Sequence, residues 1–166
     1  MTNRSYPRTN DLTCEEANEL FEYRDGHLYW KKPGKSRRMG QPVGSKSGDG
    51  YICVKIQYKL HRVHRLVWAM HGNKPAPFID HINGDQLDNR IENLRAATHS
   101  QNCMNRRQRS DNKSGIKGVM RRKNKWYGCV TLNYKVYPAG YFDCIEDAAA
   151  AVDKLRKELH GEFARS

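Results

Sequence analysis

Apolar and polar positions along this chain repeat in two periods, and the places where the period changes mark its elements. Thr13-x-x-Glu16 reads as a capping box opening a short helix with Ala17, Leu20 and Phe21 on one face. Asp25-Gly26, between Glu22-Tyr23-Arg24 and His27-Leu28-Tyr29-Trp30, predicts a tight hairpin. The Lys/Arg/Gly/Ser-rich stretch from Lys31 to Gly50 is expected to be mostly mobile loop. Period two returns at Tyr51 to Gln57, where Ile52, Val54 and Ile56 alternate with more polar neighbours, and Leu60 to Val63 can pair back onto that strand. Val63, Leu66, Val67 and Met70 then share one helical stripe, which predicts a helix from about His64 to His71 that Gly72 ends. Pro75 and Pro77 keep the following chain extended.

In the second half, Thr98 with Gln101 forms another capping box and places Asn102 about one turn into a helix. Ser110 to Gly115 has the composition of a linker. Beyond it, Gly118-Val119-Met120, Trp126 to Leu132 and Lys135 to Phe142 read as three short strands. A helix is expected from about Ile145 to His160, capped by Asp143 with Glu146 three residues on, and stopped by Gly161. Its buried stripe is Ala148, Val152, Leu155 and Leu159. The fold class is α+β, with a small three-stranded antiparallel sheet and one helix at the C-terminal end.

Charge narrows the choice of partner. Thirty Lys and Arg against eighteen Asp and Glu leave a net charge of +12, and the pI is about 9.6. That balance suits a polyanion, nucleic acid before an anionic membrane, since no long apolar run is present. Met1 to Asn10 is polar and lacks the apolar stretch of a secretory signal, so a cytoplasmic location is expected. Cys14, Cys53, Cys103, Cys129 and Cys144 are odd in number and never in a Cys-x-x-Cys pair. Reduced thiols, several of them in the core, are expected rather than disulfides or a zinc ribbon.

The chemistry concentrates in Asp80-His81, Asn93 and Asn102. Asp80 offers a hard anionic oxygen and Asn102 a neutral carbonyl oxygen, a pair suited to Mg2+ or Mn2+. His81 is the natural general base for an attacking water. Asn93 cannot act as a base, and its expected work is to hydrogen-bond across the loop Ile82 to Glu92 and hold His81. Asp85 and Asp88 are expected to make local turn hydrogen bonds rather than bind metal. Because neighbours on a regular strand face opposite sides, Asp80 and His81 can share a site only where the strand end is distorted.

His64-Arg65-Leu66-Val67-Trp68, then Asp80-His81-Ile82-Asn83-Gly84-Asp85, then Asp88-Asn89-Arg90-Ile91-Glu92-Asn93-Leu94-Arg95, resemble the HNH homing endonucleases common in bacteriophages. The resemblance covers roughly Leu12 to Arg107 and matches the subgroup that ends in asparagine rather than a second histidine. It implies a ββα-metal fold with Asp80 and Asn102 as metal ligands, His81 as base and Asn93 as the bracing residue. Arg62, Arg65, Arg90, Arg95, Arg106 and Arg107 are the candidate DNA contacts of this region.

Lys117-Gly118-Val119, Trp126, Gly140-Tyr141-Phe142-Asp143 and Glu146-Asp147-Ala148-Ala149-Ala150-Ala151-Val152-Asp153 resemble the APETALA2-type DNA-binding domain. That resemblance implies a three-stranded sheet lying in the major groove, with Lys117, Arg122, Lys125 and Tyr127 on its outer face and Trp126 inward. Met120, and Pro138-Ala139 before Gly140, depart from the usual pattern, so target preference does not carry over.

The expected organisation is a disordered tail at 1–11, an HNH nuclease domain at 12–109 with its core at about 78–108, a linker at 110–115 and a DNA-binding domain at 116–166. The expected activity is a metal-dependent, sequence-directed DNA endonuclease acting on double-stranded DNA. It would work as a monomer or weak dimer, without membrane or small-molecule substrate, in the host cytoplasm of a phage-encoded system. Two rivals stand beside it. A non-catalytic DNA-binding regulator could keep the same scaffold but would need none of Asp80, His81 and Asn102. A zinc module using His81, His99 and Cys103 fits no common structural spacing.

Overall fold

The computed structural model describes residues 12–35, 37–105 and 112–164. The N-terminal tail, Arg106, Arg107 and the first two residues of the expected linker lie outside them. The chain divides into two compact units, with the boundary between Ala97 and Thr98.

In the first unit, α1 (Cys14–Leu20) opens on Thr13, and both halves of the Thr13/Glu16 capping box are made. The hairpin β1 (Phe21–Arg24) and β2 (His27–Trp30) closes through Asp25-Gly26. A second sheet has the order β3-β4-β5, from β3 (Ser45–Lys46), β4 (Ile52–Ile56) and β5 (Lys59–Arg62). The helix α2 (Val63–Met70) follows β5 directly and buries Val63, His64, Leu66 and Val67. Asn18 of α1 donates its Nδ2 to the Met70 carbonyl at 3.2 Å and so satisfies part of the C-terminal end of α2. The core joins Phe21, Leu28, Val54, Ile56, Val63, Leu66, Val67, Ile79 and Leu94. Each such side chain contributes about 1.5–3 kcal/mol of burial. The last pair, β6 (Phe78–His81) and β7 (Leu94–Ala97), is antiparallel.

In the second unit, α3 (His99–Met104) opens on the Thr98/Gln101 capping box. The strands β8 (Val119–Arg122), β9 (Lys125–Leu132) and β10 (Lys135–Phe142) form an antiparallel sheet with β9 in the middle. The helix α4 (Ile145–His160) covers one face, where Val119, Val130, Ala148 and Val152 make the core and Trp126 packs against them. Gly128 is required there, because a Cβ at that position would meet the Val152 side chain at 2.6 Å.

Four expectations need correcting. The stretch from Lys31 to Gly50 is partly ordered, with Ser45–Lys46 paired to Ile52–Cys53 and Val43 buried, its N–H on the Leu28 carbonyl at 2.7 Å. A two-residue strand is too short for alternation to reveal it. The cap of α4 is Cys144, whose Sγ accepts from the Asp147 N–H at 3.4 Å, because the cap must immediately precede Ile145. Asp143 instead meets Lys125 Nζ at 3.1 Å. The buried stripe of α4 continues through Arg156 and His160, while Leu155 and Leu159 are only partly buried. Of the five cysteines, all free thiols, only Cys53 is buried.

Candidate active site

The β6–β7 pair carries the site, and its register fixes which side chains face each other. Asp80 lies opposite Arg95 and His81 opposite Leu94. Asp80, His81, Asn89 and Asn93 are all buried, and burying a polar group is costly unless it is hydrogen-bonded. The Arg95 guanidinium satisfies Asp80, with Nε and Nη2 both donating to Oδ2 at 3.0 and 2.9 Å. Arg95 therefore works inside the fold, only 13% of its side chain exposed. His81 occupies the last position of β6, where the chain turns and the Gly84 N–H returns to the His81 carbonyl at 2.8 Å.

Twelve residues join the two strands, and Asn93 ties that loop together. Its backbone carbonyl accepts from the Ile82 N–H at 2.8 Å, and its Oδ1 accepts from the Asn83 N–H at 2.9 Å. Its Nδ2 donates to Asn83 Oδ1 at 3.0 Å and to the Asp88 carbonyl at 2.8 Å. Asp85 accepts from the Leu87 N–H at 3.0 Å, a turn bond. Asp88 takes the Arg90 guanidinium at 2.8 and 2.9 Å, and those hydrogen bonds lower its pKa to about 2.

The side chain meeting the His81 imidazole in this loop is Asn89, with Oδ1 3.0 Å from Nε2. Asn89 Nδ2 is directed to the Leu87 carbonyl at 3.4 Å, which leaves its Oδ1 to accept from His81. His64 lies edge-on to His81, ring centroids 5.0 Å apart and planes at 77°. Tyr51 approaches both rings, at 5.1 Å from His64 and 6.1 Å from His81. The Arg62 guanidinium stacks 4.3 Å over Tyr51 and pairs with Asp49 at 2.7 Å. Burial drives the His64 pKa well below the usual histidine value, and the charges of His81, Arg62 and Arg65 push the same way. His64 is therefore neutral near pH 7, and its Nδ1 is buried with no hydrogen-bond partner.

The other expected contacts are dispersed. Arg65 donates to the Ala76 carbonyl at 3.1 Å, and Arg90 is exposed. Asn102 lies half-buried on α3 in the second unit, its N–H on the Thr98 carbonyl. In the same unit Lys117 Nζ donates to the Met104 carbonyl at 2.8 Å. Register puts Met120, Tyr127 and Tyr141 on one face of the sheet, with Arg122 and Lys125 following on that face, away from α4. There the Tyr127 and Tyr141 rings lie 4.9 Å apart, and Arg122 reaches the Tyr127 ring at 5.8 Å. Among the described residues no group of three or more His, Cys, Asp or Glu side chains is placed to hold a metal. No helix among them is long and apolar enough to cross a membrane.

Sequence reasoning missed Asn89, Tyr51 and the contact of His64 with His81. Asn89 sits in a run of turn-forming residues, where its type carries no separate signal. His64 falls within a recognisable motif, but what it faces depends on the long-range packing of α2 beside β6.

A loop-braced Asp-His pair on an antiparallel two-stranded ladder, followed by a capped helix carrying an asparagine, matches one family model. The chain belongs to the HNH endonuclease family, whose model matches residues 61–104. Its relatives include Protein 3.8 of Escherichia phage T7, 38% identical over 113 residues that cover 65% of this chain and 92% of that protein. An uncharacterised HNH endonuclease of Acanthamoeba polyphaga mimivirus is 31% identical over 66% of this chain and 59% of its own length. A second from the same virus is 28% identical over 60% of this chain and 31% of its own length. The chain thus spans less than two thirds of either mimivirus protein. No solved structure matches it. Family membership supports nuclease activity in general.

Proposed function

We propose that this chain is a metal-dependent, sequence-directed DNA endonuclease of the homing type, hydrolysing one phosphodiester per engagement with water activated by His81. The observation that carries the proposal is the Asn89–His81 hydrogen bond inside the buried cluster. With Asn89 Oδ1 accepting, the ring proton sits on Nε2 and the imidazole is held in the orientation in which it would serve as general base. Asn93 keeps the loop that carries Asn89 in one conformation.

The donor chemistry fits a hard divalent cation. Asp80 is a buried carboxylate paired with Arg95, and carboxylate oxygen is the hard donor that such a cation takes. Asp80 and Asn102 are the residues that would hold Mg2+ or Mn2+. When bound, the cation would supply Lewis-acid stabilisation of phosphate charge. Arg62, stacked on Tyr51 and paired with Asp49, would supply a cation beside the site for a flanking phosphate. The outer sheet face with Arg122, Lys125, Tyr127 and Tyr141 would be the targeting surface, of APETALA2 type, and the bound duplex would raise the effective concentration of the cut site. The resulting division is a nuclease domain at 12–109 and a targeting domain at 116–166, acting as a monomer or weak dimer on phage or host DNA.

His81→Ala tests the reading. Plasmid nicking in Mg2+ is expected to fall by about 10²–10⁴-fold, while gel-shift affinity for duplex DNA stays near wild type. Equal cutting by the variant removes His81 from the role.

A further inference from the structure

Three tight hairpin turns have both central residues at positive φ. The β1–β2 turn uses Asp25-Gly26, at 43° and 81°, with the glycine that this conformation favours. The β4–β5 turn uses Gln57-Tyr58, at 46° and 65°, and the β9–β10 turn uses Asn133-Tyr134, at 48° and 64°. A tyrosine there crowds its Cβ against the backbone, a strain glycine escapes. The same bulky residue thus occupies the same unfavourable place twice.

Core packing does not account for it, because Tyr58 is 94% exposed and Tyr134 87%. Each tyrosine is followed by a lysine and then an exposed aliphatic residue, Lys59-Leu60 in one hairpin and Lys135-Val136 in the other. Lys55 Nζ lies 5.7 Å from the Tyr58 ring centroid, a second cation at that tip. The Tyr134 hydroxyl lies 3.2 Å from His99 Nδ1, and the two rings are nearly parallel with centroids 6.5 Å apart. Strained residues that persist with an exposed side chain concentrate where that side chain is used.

We propose that Tyr58 and Tyr134 are DNA contact points, each ring lying against the sugar–base surface while the following lysine meets the adjacent phosphate. The proposal takes its partner from the nuclease reading above. Contacts to sugar and phosphate carry no sequence information directly, so the tips add affinity rather than target choice.

Glycine substitution relieves the strain and removes the ring together, and the two consequences are read apart, the first as stability and the second as affinity. In Tyr58→Gly and Tyr134→Gly, thermal stability is expected to hold or rise. Affinity for a duplex oligonucleotide, measured with chelator at low salt, should weaken by about tenfold per site, the loss of one aromatic interface contact. Tyr134→Phe keeps the ring and loses only the hydroxyl's bond to His99, and it should bind as wild type. Glycine variants that bind as tightly as a DNA-binding wild type overturn the proposal and leave the nuclease reading standing. So does Tyr134→Phe binding as weakly as Tyr134→Gly, for the Tyr134 tip, or a change in sedimentation with no change in DNA affinity. A wild-type chain that neither binds nor cuts duplex overturns both.

Discussion

Each compact unit buries one histidine with a nitrogen left unpartnered, and the surroundings of the two differ. His160, near the end of α4, gives Nε2 to the Thr131 carbonyl at 3.0 Å, and Arg156 one turn earlier gives Nη2 to the Lys117 carbonyl at 2.6 Å. Both ends of those side chains serve the helix–sheet interface. His64 has its unpartnered Nδ1 beside two further rings, Tyr51 and His81, in a cluster that also buries Asp80, Asn89 and Asn93. A buried imidazole is therefore no sign of a site by itself. What distinguishes the first unit is that buried polar side chains pair with one another beside that imidazole, Asp80 with Arg95 and His81 with Asn89.

The largest effect that can break this contrast comes from the Asp80–Arg95 pair. Asp80→Ala breaks a mostly buried ion pair by removing one partner, and the expected loss of stability is about 3–5 kcal/mol. Asp80→Ala/Arg95→Ala should recover part of it, while neither protein cuts DNA. Urea unfolding of the three proteins checks this. An equal loss in the single and the double variant would mean that the carboxylate is not the partner that matters. Next in size is Asn89→Ala, which strands the His81 Nε2–H. It is expected to cost about 1–3 kcal/mol and, by freeing the imidazole to rotate, about 10²-fold in cleavage rate. Nitrogen shifts of the His81 ring should then report a mixture of tautomers where wild type shows the Nε2–H form.

These outcomes also bear on what could be read from the chain alone. Local signals carried well: Thr13 and Thr98 cap their helices, Asp25-Gly26 turns the first hairpin, and Trp126 packs inward as alternation requires. The order Asp80, His81, Asn93, Asn102 was legible because its spacing is fixed by one short loop and one capped helix. Asn89 was not, because one asparagine among turn-forming residues carries no separate signal, and Tyr51 was not, because its approach to His81 depends on packing between elements. Val43 was missed for a related reason, a single apolar residue in a polar stretch whose partner, Leu28, lies fifteen positions earlier.

Acid titration sharpens the comparison at a smaller scale. Burial lowers the pKa of both His64 and His160, the first much further. A histidine kept neutral in the fold takes up a proton on unfolding, so the stability it contributes is present above its unfolded value of about 6.5 and is lost as pH falls below that. The loss is at most about 1.4 kcal/mol per pH unit for each group. His64→Leu should therefore flatten the acid limb of stability more than His160→Leu does. At pH 7.5 the order changes, since His160→Leu also forfeits the Thr131 bond, worth about 1 kcal/mol, while His64→Leu removes a nitrogen with no hydrogen bond to lose. Unfolding midpoints at pH 7.5 and 5.5 decide it, and parallel curves for the two variants would dissolve the contrast.

The smallest expected effect lies at the start of α4. Cys144 caps the helix through a sulfur, a weak acceptor, at 3.4 Å from the Asp147 N–H. Serine keeps the size and offers a hydroxyl oxygen, one of the preferred capping groups, so Cys144→Ser should raise stability by about 0.5–1 kcal/mol. Because α4 packs on the sheet face opposite Tyr127 and Tyr141, neither DNA affinity nor cleavage should change. A gain in melting temperature with unaltered gel shifts fits a helix that supports the sheet from behind. A change in affinity from so mild a substitution would show instead that the cap of α4 reaches the DNA-facing surface.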